Sequence, residues 1–249
     1  MNKLISADIP RVLRSKISLI LVILTAFMSF ASVMAASMEA DEGMPVFPIA
    51  SSNLVLFISM LMPVFSGGLS IMLISGEFSS GVIRNKFIMG HKRRDILLSW
   101  TVIYSVTTLL TYAVYVGTFF IAVKAAGIAV PSGNAGNIAV NLLIILLFVM
   151  KFQMFSLLMV CIYPDAKTAV ICYLLNNATI VPMMLASLNN ENSKAMKFLS
   201  RIFILGYTNG SLTLLSKPDK PWLTAVLIAV LSALYMVLAD MYFRRKDLK

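Results

Sequence analysis

Six stretches of this chain are apolar for about 20 residues or more, the length a helix needs to cross the hydrocarbon core of a bilayer. They run over Ile17–Met38, Asn53–Ser75, Ile96–Val123, Asn137–Ile162, Thr168–Leu188 and Pro221–Phe243. No soluble core absorbs that much hydrocarbon. Apolar types make up 59% of the 249 residues and charged types only 13%, about half the charged share of an ordinary soluble domain. The expected fold is therefore an all-α integral membrane domain of six transmembrane helices, with the whole of 1–249 as one unit. No repeat, Gly/Ser linker or low-complexity tract divides it.

The N-terminus also has a signal-peptide reading. Arg11, Arg14 and Lys16 precede an apolar run, and Val33-Met34-Ala35 resembles a cleavage site. That run is longer than a usual signal core, and further hydrophobic segments follow it.

With six spans both termini share a side. Placing them in the cytoplasm puts fourteen Lys/Arg inside and six outside, with Lys151 inside a span. That asymmetry is what the positive-inside rule requires. The formal charge of +10 thus reads as topology rather than as a nucleic-acid surface, since the cations sit at span ends and form no basic domain. Cys161 and Cys172 lie in or beside apolar runs and read as inert thiols. His91 is the single histidine and has no second soft ligand nearby, so no metal site is expected.

The segment 1–16 places Ile5, Ile9, Val12 and Leu13 on one helical face, with Lys3, Arg11 and Arg14 elsewhere on the wheel. It reads as an amphipathic helix lying in the membrane interface, with a plain basic flank as the alternative. Pro10 either kinks it or starts it behind Asp8.

Between the second and third spans runs GEFSSGVIRNKFIMGHKRRD, Gly76 to Asp95, the most basic stretch of the chain. Ser79 or Ser80 can cap a helix there, and Val82, Ile83 and Phe87 share a face. Gly90 suits a helix stop, and Asp95 can cap the third span. A surface helix of about ten residues is expected, whose small apolar face needs a groove on a partner or the base of the bundle.

The run Glu77-Phe78-Ser79-Ser80-Gly81-Val82-Ile83-Arg84-Asn85-Lys86, then Gly90 and a basic turn, resembles the corresponding connection in ABC-2 type transporter permeases. An E-[FY]-x-x-G-[TV]-[IL]-[RK] run recurs in that family. The layout is similar too, from the interfacial helix through the spans to the larger fifth-to-sixth outer loop at 189–220. The resemblance implies that 77–94 is a cytoplasmic coupling loop docked in a separate ATPase subunit, with Val82, Ile83, Arg84, Lys86 and Phe87 as contacts. It implies that Glu77 packs near the interfacial helix, against Arg11 or Arg14. It further implies two copies of the ATPase, which bind the ATP and Mg, and a second permease, identical or related. Small permeases of this kind occur in Gram-positive exporters of bacteriocins and of cytolytic peptides such as phenol-soluble modulins. Length and layout here are similar to theirs.

The chain has no phosphate-cradling GxxxxGK[ST] loop, so it is expected to perform no hydrolysis itself. Lys151 and Gln153 fall about 16 Å from the inner end of the fourth span at helical rise. They either line a polar cavity or, for Lys151, snorkel from a shifted span. Pro63 with Gly67-Gly68, and Pro182, are expected to interrupt the second and fifth spans. Phe198–Leu205 is apolar but too short to cross and reads as a short outer helix, and Trp222 as an interface anchor. Two other function classes stay open. One is a secondary transporter or channel, disfavoured by the lack of intramembrane carboxylates. The other is a non-transporting scaffold or immunity protein.

Overall fold

A computed structural model describes residues 6, 8–10, 12, 14–39, 46–178, 214–215, 217 and 220–245. Described residues form seven α-helices, labelled here α1 (Lys16–Glu39), α2 (Val46–Ser79), α3 (Val82–Ile88), α4 (Arg93–Ala125), α5 (Ala135–Ile162), α6 (Ala166–Ala178) and α7 (Pro221–Arg245). There is no strand among them. Helical backbone also occurs at 6, 8–10 and 12. Among the described residues, five helices are long and apolar enough to cross a membrane: α1, α2, α4, α5 and α7. The chain is thus a multi-pass membrane protein. The expected fifth span is described only over α6; its remainder, with Pro182, Phe198–Leu205 and nearly all of 189–220, lies outside the described residues. So do Arg11 and Leu13.

At 34 and 33 residues α2 and α4 are about 50 Å long, well beyond a hydrocarbon core of about 30 Å. α5 is the hub and packs against α2, α4, α6 and α7, while α1 lies on α2 and α4. Without water in the bilayer, polar side chains must find partners within the bundle. Ser29 of α1 donates to the Tyr115 carbonyl of α4 at 2.8 Å, and Tyr112 of α4 to the Leu142 carbonyl of α5 at 2.7 Å.

Pro63 does not interrupt the second span, contrary to expectation: α2 continues through it. The irregularity is absorbed by α6. The Tyr173 hydroxyl donates to the Pro63 carbonyl at 2.5 Å and lies in the gap left by the missing side chain of Gly67. The glycine is needed for this close approach, because a Cβ there would fall 2.3 Å from the hydroxyl oxygen.

α6 begins with a side-chain cap. Asp165 accepts from the Thr168 amide at 3.1 Å and from its hydroxyl at 3.0 Å. Those bonds, the amide first, hold the Asp165 carboxyl below its ordinary range. A depressed folded value means that the cap stabilises above the ordinary carboxylate range, and that this contribution is lost as pH falls through the folded value. Exchange of the Thr168 amide, corrected for intrinsic rate, should therefore accelerate in acid toward the rate of Asp165→Ala. In that variant the corrected rate should be flat with pH.

Candidate functional site

The densest polar chemistry lies at the end of the bundle that carries α3. The helix is seven residues long, shorter than expected, and glycines set both of its ends. Gly81 enters it at φ 71° and Gly90 leaves it at φ 84°, both left-handed conformations that cost glycine little. Gly90 is the stop its sequence suggests. Its amide donates to the Phe87 carbonyl at 2.8 Å and the His91 amide to the Lys86 carbonyl at 3.2 Å, the paired bonds of a Schellman ending. Ser79 and Ser80 do not cap α3. Their hydroxyls turn back to the Gly76 carbonyl at 3.1 and 2.6 Å and close α2 instead, because the left-handed Gly81 separates them from the new helix. Asp95 does not cap α4 either: Lys92 holds the cap position, and Asp95 lies in the first turn, where its charge suits the helix dipole.

α3 is held by a buried charge cluster. Lys86, only 4% exposed, donates to Asp8 at 2.8 Å and to Glu77 at 3.0 Å. The same Glu77 oxygen accepts the Trp100 indole N–H at 3.0 Å. One ammonium therefore joins the N-terminal segment, the last turn of α2 and α3 itself, and the indole adds α4. Breaking such a pair from one side strands a charge away from water, which makes the cluster costly to disrupt.

An aromatic layer lies beside it. Phe78, Trp100 and Phe243 meet with ring centroids 5.9, 6.2 and 5.5 Å apart, within the range of favourable aromatic packing. Arg93 completes the junction. It donates to the carbonyls of Phe243 at 3.0 Å and Arg244 at 2.6 Å, so a cation satisfies the acceptor end of α7. Its guanidinium also sits 5.7 Å over the Phe87 ring. α3, α4 and α7 are thereby fastened at one point.

The expected docking residues divide between two faces. Ile83 and Lys86 are buried, Val82 and Phe87 half-buried, and Arg84 is exposed. The outward face carries Arg84, Asn85, Ile88 and Met89, with Ile88 75% and Met89 66% exposed. Of the residues expected to pack around the interfacial helix, Glu77 reaches the N-terminal segment through Lys86 and Asp8, and Arg14 is exposed. Asp8 and Trp100 were missed by sequence reasoning. The one available signal was Lys86 itself, a cation three residues after Ile83 on an apolar stripe, nine residues beyond a carboxylate.

Lys151 and Gln153 are both buried. The Lys151 ammonium lies 4.3 Å from the Phe148 ring centroid and 4.7 Å from that of Phe152, a cation–π arrangement. Gln153 donates to Ser70 at 2.6 Å and accepts from Thr108 at 3.3 Å, joining α5 to α2 and α4. Neither residue lines the apolar crevice between α1, α2 and α4, whose walls include Leu24, Met28, Phe57, Phe65 and Tyr115. Described residues contain no cluster of His, Cys, Asp or Glu able to hold a metal ion.

Compared with known protein families and with curated proteins, the chain matches none.

Proposed function

We propose that this chain is the transmembrane subunit of an ATP-driven exporter of the ABC-2 type, powered by a separate ATPase chain. The observation that carries the reading is α3. A glycine-bounded helix joins two spans that outreach the bilayer, is braced to α4 and α7 through Arg93, and turns Arg84, Ile88 and Met89 outward. A push on such a helix reaches several spans at once, as a coupling element requires. The Glu77–Lys86 run supplies the family resemblance.

In this reading the chain has six spans in the cell membrane, with both termini and α3 in the cytoplasm. It pairs with a second permease, identical or related, and two ATPase subunits that bind ATP and Mg. ATP-driven closure of those subunits displaces α3, tilts the half-bundles about their seam and expels an amphipathic or hydrophobic cargo such as a peptide toxin, bacteriocin or drug. Arg84, Ile88 and Met89 make the docking contact, while Ile83 and Lys86 hold the helix from behind.

The test separates these two faces. Arg84→Glu with Ile88→Ser and Met89→Ser should leave the chain folded, since all three side chains are exposed. It should lower co-purification of the proposed partner ATPase, and cargo-stimulated ATP hydrolysis, by roughly tenfold or more, as expected when interface anchors are removed. Full retention of both would refute the assignment. Transport that persists without ATP, driven by a proton gradient, would favour a secondary transporter, and a complex whose hydrolysis no cargo stimulates would favour a scaffold.

A further inference from the structure

Arg93 brings together two ends of helices that are each basic on their own. Lys92, Arg93 and Arg94 stand at the start of α4, and Arg244 and Arg245 close α7. Because Arg93 donates to the carbonyls of Phe243 at 3.0 Å and Arg244 at 2.6 Å, these cations adjoin a single contact. Lys92, Arg94, Arg244 and Arg245 are exposed there. Arg244 is paired with Asp240 at 2.6 Å, while Lys92, Arg94 and Arg245 make no ion pair among the described residues. The other nearby carboxylate, Asp95, is half-buried in the first turn of α4. The patch keeps a net positive charge, and its cations repel one another until an anion sits among them.

α7 shows what kind of anion fits. Steps of three and four residues place Leu234, Val237 and Met241 in one row, which Arg244 and Arg245 end. All three apolar side chains are exposed. From Leu234 to Arg244 the helix rises about 15 Å, half of a hydrocarbon core of about 30 Å. The row is thus one leaflet deep, apolar along its length and cationic at the membrane surface. It matches a molecule with an anionic head and a hydrocarbon tail that lies in the bilayer. A soluble acidic protein would meet the head end alone. A second copy of this chain, related by a twofold axis along the membrane normal, would set Arg244 and Arg245 against their own counterparts, which like charge opposes.

We propose that the junction of α4 and α7 is a binding site for an anionic phospholipid. Its phosphate lies among Lys92, Arg94, Arg244 and Arg245, and an acyl chain runs along Met241, Val237 and Leu234. The bound lipid neutralises the repulsion around Arg93 and so steadies the fastening of α4 to α7. The site stands apart from the transport reading and needs no partner protein.

The experiment follows lipid retention by native mass spectrometry on the full chain released from detergent. The probes are palmitoyl-oleoyl phosphatidylglycerol, the matching phosphatidylcholine and free glycerol phosphate. Phosphatidylglycerol should be held roughly tenfold more tightly than phosphatidylcholine, since each surface cation adds to the attraction. Excess glycerol phosphate should not displace it. Equal retention of the two lipids would overturn the proposal, and so would displacement by the free headgroup, which would mark a site for soluble anions. Lys92→Gln with Arg94→Gln and Arg245→Gln should bring phosphatidylglycerol down to the phosphatidylcholine level. Arg14→Gln with Lys16→Gln and Lys167→Gln removes as many cations from the same end of the bundle and should leave the preference nearly intact. All six side chains are exposed, so both variants should fold. Equal losses from the two variants would mean diffuse attraction to the whole surface and would overturn the site. Val237→Cys, with Cys161→Ala and Cys172→Ala, tests the row itself. In phosphatidylglycerol nanodiscs under oxidation it should remain a monomer, and a disulfide-linked dimer would put a second copy where the lipid belongs and refute the assignment.

Discussion

Lys86→Met should destabilise the folded chain by about 3–5 kcal/mol, the cost of removing one side of a buried ion pair. The side chain it replaces is 5% exposed and serves two carboxylates, Asp8 at 2.8 Å and Glu77 at 3.0 Å. Methionine fills similar volume but offers no charge, so Asp8 and Glu77 both lose the cation they share and face each other's charge, although Glu77 keeps the Trp100 indole. Thermal unfolding of the purified chain in mild detergent should fall by roughly 10 °C. The origin of the loss is separable. Combining Lys86→Met with Glu77→Gln and Asp8→Asn removes every stranded charge, and much of the stability should return. If the triple variant is as unstable as the single one, attraction within the cluster rather than stranded charge governs this end of the bundle. Lys86→Glu, which puts a third carboxylate in the same place, should be worse than methionine. That variant measures folding and says nothing about docking.

The second large effect is expected at the crossing of α2 and α6. Gly67→Ala sets a methyl group 2.3 Å from the Tyr173 hydroxyl and 2.4 Å from its ring carbon Cζ. Tyr173 is fully buried, so its ring has no free space to enter. Overfilling a packed interior in this way costs about 1–3 kcal/mol, and displacing the ring also breaks its bond to the Pro63 carbonyl. Tyr173→Phe alone keeps the ring in place and should cost about 1 kcal/mol, a single hydrogen bond. Pairing Gly67→Ala with Tyr173→Ala removes the overlap, so the two losses should not add. Strict additivity in unfolding measurements would mean that Tyr173 does not occupy the Gly67 gap.

Five of the six expected spans were legible because hydropathy is a property of each residue on its own. The expected limits at Ile162 and Pro221 coincide with the ends of α5 and α7. Gly90 was legible for a similar reason: a left-handed helix ending is a local demand that glycine meets. The errors lie where a local signal had more than one use. Ser79 and Ser80 are as able to close a helix as to open one, and Gly81 decides between those uses. Pro63 reads as a break when seen alone; the tyrosine that accommodates it is 110 residues away. Lys86 shows the limit most clearly. On a surface helix a lysine is expected to face water, and what turns it inward is a carboxylate 78 residues earlier in the chain. Arg93 likewise looked like part of a basic turn, because nothing near it in sequence marks the α7 carbonyls as its acceptors. Pairings of that separation depend on how helices cross, which periodicity does not encode.

Arg93 also imposes an order on biogenesis. Its two acceptors belong to Phe243 and Arg244, about 150 residues further on, and the aromatic layer under it needs the Phe243 ring. Spans inserted early must wait for the final helix before this end can set, and at about 5–20 residues per second that wait lasts on the order of ten seconds. An unfinished polypeptide would therefore offer an incoming subunit only a loose foothold, and assembly would favour chains whose last helix is already in place.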